Sequence, residues 1–152
     1  MNIIPGRLDS PAVIQLLQGH LDDMYATSPP ESVHALDISK LQAADIRFWG
    51  AWQGDVLLGC VALKQHSNDM AEIKSMRTAP EARGQGVGRA LLQFLLEQAR
   101  QSGISKLYLE TGSMDAFIPA RRLYEAYGFT LCGPFGDYTD DPNSLFMRLA
   151  LD

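Results

Sequence analysis

Residues 81–92 read Glu-Ala-Arg-Gly-Gln-Gly-Val-Gly-Arg-Ala-Leu-Leu, with three glycines on alternate positions, an arginine on either side and an apolar run behind. Pro80 stops the β-rich run AEIKSMRTA in front of this turn. Behind it, Val87, Leu91, Leu92, Leu95, Leu96 and Ala99 recur at helical spacing. The chain must therefore pass from a strand into a helix through a tight glycine turn. Successive backbone N–H groups then face one concavity, joined by the positive end of the helix dipole. Arg83 and Arg89 add formal charge. Such a turn can seat a pyrophosphate, and by spacing alone it can equally be a bare strand-to-helix connection with surface arginines.

Two common glycine motifs do not fit. A P-loop needs Lys followed by Ser or Thr after its last glycine, and here Gly88 is followed by Arg89. A dinucleotide fingerprint spaces its glycines GxGxxG, whereas Gly84, Gly86 and Gly88 put the third glycine one residue early. The turn also lies in mid-chain behind a hairpin rather than inside a repeated βαβ unit.

The flanking pattern predicts the architecture. Asn2–Ile4 reads as a short strand, and Ser10-Pro11 as the start of a helix over 11–25 with Val13, Leu16, Leu17, Leu21 and Met24 on one face. The double proline in ATSPPESVHALD predicts a loop, followed by a short helix near Ile38–Ala43. IRFWGAWQ and VLLGCVALKQ flank Gly54-Asp55 and predict a hairpin, with AEIKSMRTA as a third strand. The helix after the glycine turn should run to about Ser102 and stop at Gly103. KLYLET, a helix over 115–127 with Ala116, Ala120, Leu123, Tyr124 and Tyr127 on one side, FTLCG and SLFMRLAL complete the chain. The order βααβββ-α-β-α-ββ predicts an α+β fold, a mixed sheet covered by helices. No linker or repeat divides the 152 residues, so one domain over 1–152 is expected.

With the turn in this context, the sequence resembles the GNAT superfamily of N-acetyltransferases. Arg83-Gly84-Gln85-Gly86-Val87-Gly88 matches that superfamily's Q/R-x-x-G-x-G/A pyrophosphate motif, and ARRLYEAYGF supplies its A-x-x-L-Y-E-x-x-G-F segment. The resemblance covers about residues 46–150; the first 45 are compatible with it. The phrases PESVHAL, KSMRT, LETGS and DPNSLFM resemble a bacterial subgroup of small-molecule acetyltransferases. The resemblance implies a central sheet of six or seven strands with about four helices, and transfer of acetyl from acetyl-CoA to an amine without a covalent enzyme intermediate.

Carried over residue by residue, the resemblance implies that the strand before the turn pairs with the pantetheine arm through Met76, Arg77 and Thr78. The Met76 N–H faces the thioester carbonyl. The pyrophosphate falls to Arg83, Gly84, Gln85, Gly86, Val87, Gly88 and Arg89. Tyr124, the tyrosine of the LYE segment, is the implied acid for the departing thiolate, or else a packed aromatic. Glu72 is favoured as the base, with Glu110 or solvent as alternatives. Tyr138 and the acids around it, Asp137, Asp140 and Asp141, are candidate contacts for a cationic acceptor, as are Glu31 and His34 across the pocket. Many relatives place Asn three residues before the alanine of A-x-x-L-Y, where this chain has Phe117, so that contact is unassigned.

Composition bounds the partners. A net charge of −5 argues against nucleic acid. No run reaches the roughly 18 apolar residues that span a bilayer, and MNIIPGRLDSPAV lacks a signal-peptide core, so no membrane and a cytoplasmic location are expected. Cys60 and Cys132 sit among apolar neighbours and are expected as buried free thiols. His20, His34 and His66 lack metal-ligand spacing, so no metal is expected. A small-molecule primary amine is the expected acceptor. Protein or peptide amines are the alternative, and a weakly catalytic acyl-CoA-binding sensor is the alternative from another class. Dimers are common in the superfamily, which makes a homodimer the assembly suggested by analogy.

Overall fold

The computed structural model describes residues 1–33 and 38–151. Seven strands form one sheet in the order β1-β2-β3-β4-β5-β7-β6. They are β1 (Asn2–Pro5), β2 (Ile46–Gln53), β3 (Val56–Gln65), β4 (Met70–Thr78), β5 (Lys106–Gly112), β6 (Thr130–Cys132) and β7 (Ser144–Ala150). Four α-helices accompany them among the described residues: α1 (Pro11–Thr27), α2 (Ile38–Leu41), α3 (Val87–Gln101) and α4 (Ile118–Ala126). The mixed α+β sheet expected from the sequence is present, antiparallel throughout except where β4 runs parallel to β5.

The apolar periodicity of α3 is realised in full, with Val87, Leu91, Leu92, Leu95, Leu96 and Ala99 all buried. Gly103 ends it at φ +80°, a left-handed stop that lets Ile104 N–H reach back to the Ala99 carbonyl. The expected face of α1 is buried only in its first half, at Val13, Leu16 and Leu17. Leu21 and Met24 are half-buried, Met24 against the pocket between β4 and β5. Ser10 precedes α1 in extended conformation without a side-chain cap bond.

Two helical expectations need correction. Residues 115–127 do not form one helix: Asp115–Phe117 is a tighter 3-10 turn, and only Ile118–Ala126 is α-helical. Pro119 sits in the first turn of α4, where its missing N–H costs no helical bond, and Ala116 is exposed rather than on the buried side. α2 is also shorter than expected, ending at Leu41. Both cysteines are free, but only Cys60 is fully buried; Cys132 on the edge strand β6 is half-exposed. Burial pushes the Cys60 thiol up to about 12.

The packing of β3 under α3 sets the position of the glycine turn. A side chain at Gly59 would place its Cβ 2.8 Å from the Arg77 carbonyl oxygen and 2.9 Å from Val87 Cγ1, distances real Cβ atoms do not adopt. Gly59→Val should therefore destabilise the fold by about 3 kcal/mol through overpacking, lowering the melting temperature by roughly 6–12 °C for a chain of this size. Thermal unfolding of the variant checks this; an unchanged midpoint would contradict the close approach of β3, β4 and α3.

Candidate active site

The parallel pairing of β4 and β5 begins at Met70↔Lys106 and stops at Ile73↔Leu109, although both strands continue. The sheet therefore forks. On its other side β4 stays with β3 but carries a bulge: Cys60 faces Arg77 and Ala62 faces Lys74, leaving Ser75 and Met76 opposite Val61 alone. Ser75 adopts φ +52°, a left-handed conformation uncommon for a side chain with a Cβ. Its Oγ is buried without a hydrogen-bond partner, while its carbonyl receives the Cys60 thiol at 3.2 Å. The bulge bends β4 away from β5 and opens the pocket between them.

Tyr124 enters this pocket from α4. It is 8 % exposed, packs edge-on against Phe129 with centroids 5.7 Å apart, and brings its hydroxyl to 3.6 Å from Met76 Sδ. Burial pushes the Tyr124 phenol up to about 12. Phe117 also lines the pocket, at the position where the family pattern has Asn. Ser113 is committed elsewhere, its hydroxyl donating to the Pro142 carbonyl at 2.7 Å.

Glu72 lies on β4 just before the fork and is 2 % exposed. Its Oε2 accepts the Tyr138 hydroxyl at 2.6 Å and the Lys74 ammonium at 3.3 Å, and its Oε1 lies 2.9 Å from His66 Nε2. Lys74, itself 8 % exposed, also donates to the Tyr138 oxygen at 2.7 Å. Burial, then the charge of Glu72 and its hydrogen bond, and finally the Glu110 charge, raise the Tyr138 phenol far above its ordinary range. Glu110 borders the same pocket from β5 and accepts the Ser144 hydroxyl at 2.8 Å. Both candidate carboxylates therefore stand at the fork, with Glu72 the more enclosed.

The glycine turn lies at the other end of β4. Gly84 and Gly86 adopt φ +79° and +80°, which a side chain would resist. Arg83, Gly84, Gln85, Gly86 and Arg89 are exposed, and Val87 turns into the core. The first bond of α3 runs from Ala90 N–H to the Gly86 carbonyl, so the N–H groups of Val87, Gly88 and Arg89 have no helical acceptor. Gly88 faces Leu123, Thr78 and Met76, linking the turn to the fork. A phosphate fits this end by charge and by its unpaired donors.

Arg77 contributes differently from its neighbours. Its side chain crosses to α1 and donates to Asp23 Oδ2 at 2.8 Å, holding the Asp23 carboxyl below its usual range, while its Nε stays buried and unpaired. Glu31 is exposed and does not line the pocket; His34 lies outside the described residues. The loop carrying Glu31 is nonetheless tied to the acidic loop, with the Ser32 hydroxyl donating to Asp141 Oδ2 at 2.6 Å.

Three residues in or beside the pocket escaped the sequence reading. His20 lines the fork from α1, and burial, with the Arg77 charge beside it, lowers its pKa to about 4. It falls within the apolar stripe of that helix, so its position was readable. Lys74 shares alternate spacing with Glu72 on β4, two charges in a strand whose neighbours Ala71 and Ile73 are buried, which is a second available signal. His66 sits in a turn and carries no such signal.

Residues 13–129 match the family described as Acetyltransferase (GNAT) family. The N-acetyltransferase YsnE of Bacillus subtilis (strain 168), described as uncharacterized, is 50% identical over 139 residues, covering 91% of this chain and 92% of that protein. The IAA acetyltransferase of Azospirillum brasilense is 42% identical over 144 residues, covering 92% and 91%. In fold, the chain superposes with a TM-score of 0.70 on a GNAT family acetyltransferase from Elizabethkingia anophelis with acetyl-CoA bound, at 20% identity over 99% of this chain and 97% of that one. A glycine turn opening α3, a forked β4–β5 pair and a family match across most of the chain thus converge: the protein belongs to the GNAT acetyltransferase family and is an acetyltransferase enzyme.

Proposed function

We propose that the protein transfers the acetyl group of acetyl-CoA to a primary amine of a small molecule, by direct attack with both substrates bound. The observation that carries this reading is the fork itself, with unpaired N–H donors at one end of β4 and an enclosed carboxylate at the other. The turn from Arg83 to Arg89 would hold the pyrophosphate, and the backbone of Met76, Arg77 and Thr78, which lies beyond the β4–β5 pairing, the pantetheine arm. Acetyl-CoA bound this way supplies an activated acyl group. The Met76 N–H stabilises charge on the acyl oxygen. Glu72 takes the proton from the arriving ammonium, and Tyr124 gives one to the sulfur. A small amine is favoured because the fork is bordered by side chains on several sides, including His20, Phe117 and Tyr138, and because the IAA acetyltransferase relative carries a small-molecule name.

The test is thiol release from acetyl-CoA with tyramine, spermidine, kanamycin and lysine methyl ester as acceptors, alongside N-terminal peptides. Amine-dependent release with at least one small amine, with acetylation of that amine confirmed by mass, is the expected result. Release with peptides alone would transfer the activity to protein acetylation. Tight coenzyme binding without any release would make the chain a sensor.

A further inference from the structure

Acetylating an ammonium with a thioester yields an amide, a free thiol and one proton, and that proton has to leave a carboxyl group that is 2 % exposed. The two oxygens of Glu72 face different surroundings. Oε2 meets Tyr138 and Lys74, both of which line the fork. Oε1 faces His66 Nε2 at 2.9 Å, and His66 does not line the fork. Its side chain is 19% exposed and borders a separate open depression with Asp45, Arg47, Gln65 and Asn68. The imidazole is held in place: the Phe135 ring packs edge-on at 6.3 Å, and a Cβ at Gly136 would come within 3.3 Å of His66 Cε1.

We infer that His66 is the proton exit of the site, a relay that carries each proton from Glu72 to solvent through the separate depression that His66 borders. The inference rests on Glu72 acting as the base. The ammonium gives its proton to the Glu72 carboxyl. While the carboxyl is ionised, His66 donates its Nε2–H to Oε1. Once the carboxyl is protonated, exchange with water moves the imidazole proton to Nδ1, Nε2 accepts the carboxyl proton, and the Nδ1 proton leaves to water. Carboxylate and neutral imidazole are restored, and one proton per turnover reaches solvent. Among the described residues, Glu72 on β4 faces the imidazole, and Asp45 and Arg47 share its depression. His66 acts through Glu72 and touches no substrate, so it is a positioning and relay residue.

His66→Gln and His66→Ala test this, using the fastest acceptor of the panel above. Gln keeps a donor for Glu72 but cannot carry a proton. Both variants should lose at least about tenfold in kcat near pH 7, with KM for acetyl-CoA unchanged. Added imidazole, entering through the open depression, should restore His66→Ala in proportion to its concentration. His66→Gln with wild-type kcat across pH 6–9 would overturn the relay. So would a loss in His66→Ala that the Gln variant repairs and imidazole does not, since that pattern belongs to a hydrogen bond alone. Should His66→Ala not fold, the Gln variant decides. Glu72→Gln separates the two ideas: full activity there removes the base itself, whereas its loss beside an active His66→Gln removes only the exit.

Discussion

Tyr124→Phe should lower kcat by about 100-fold while leaving the KM for acetyl-CoA within about twofold. The substitution removes one oxygen and keeps the ring, whose edge-on contact with Phe129 and near-complete burial fix its place. The hydroxyl donates to Met76 Sδ across the fork at 3.6 Å, a long bond to a weak acceptor, so its loss strands no strong buried donor or acceptor. A wholly structural role would thus predict a variant of unchanged turnover. The pH dependence has a definite sign. Burial raises the phenol from 10 to about 12, so the acid stays protonated through neutral pH and no loss of rate below about pH 11 belongs to it. The unfolded phenol releases its proton first, so between pH 10 and 12 the fold loses stability as the pH rises. Steady-state kinetics with saturating acetyl-CoA checks the prediction, and near-full turnover would remove Tyr124 from the chemistry.

The glycine-turn end of the site was legible because its signals are local. Glycines that need positive φ, a proline that ends a strand and a 3.6-residue apolar period are all properties of neighbouring residues. They put Gly84, Gly86 and the start of α3 where they lie. The Glu72 end depends on contacts between distant segments. Glu72 and Tyr138 are separated by 66 residues and meet at 2.6 Å only because the loop before β7 folds over the fork. Nothing in the neighbourhood of either residue announces the other. His66 is the extreme case, a turn residue in a polar stretch that becomes significant only through its contact with Glu72. The bulge at Ser75 was hidden for another reason. A serine is an unremarkable strand residue, and its left-handed φ follows from the register of β3 against β4 rather than from propensity. The helix over 115–127 failed at its first turn: α4 starts at Ile118, three residues past the expected start, with Pro119 in its first turn.

Glu72→Gln carries the other large expected effect, a loss of about 100- to 10,000-fold in kcat/KM near pH 7. An alkyl ammonium resembles a lysine side chain, whose pKa is about 10.4, so at pH 7 only about one molecule in 2,500 is free amine. With the base gone, the enzyme must wait for that fraction. The rate of the variant should then rise about tenfold per pH unit until the acceptor's own pKa, closing on the wild type at high pH. A loss of equal size at every pH would instead give Glu72 an electrostatic part without proton transfer. Stability has to be separated from chemistry here. Gln fills the same space and can still pair with Tyr138, but Lys74, 8 % exposed, loses its counter-charge. Stranding a buried charge costs about 3–5 kcal/mol, whereas replacing both partners by apolar groups is often neutral. Glu72→Gln combined with Lys74→Met is therefore the control. The double variant should recover the melting temperature of the wild type and keep the same steep rise of rate with pH, because restoring the charge balance of the pocket does not restore a base.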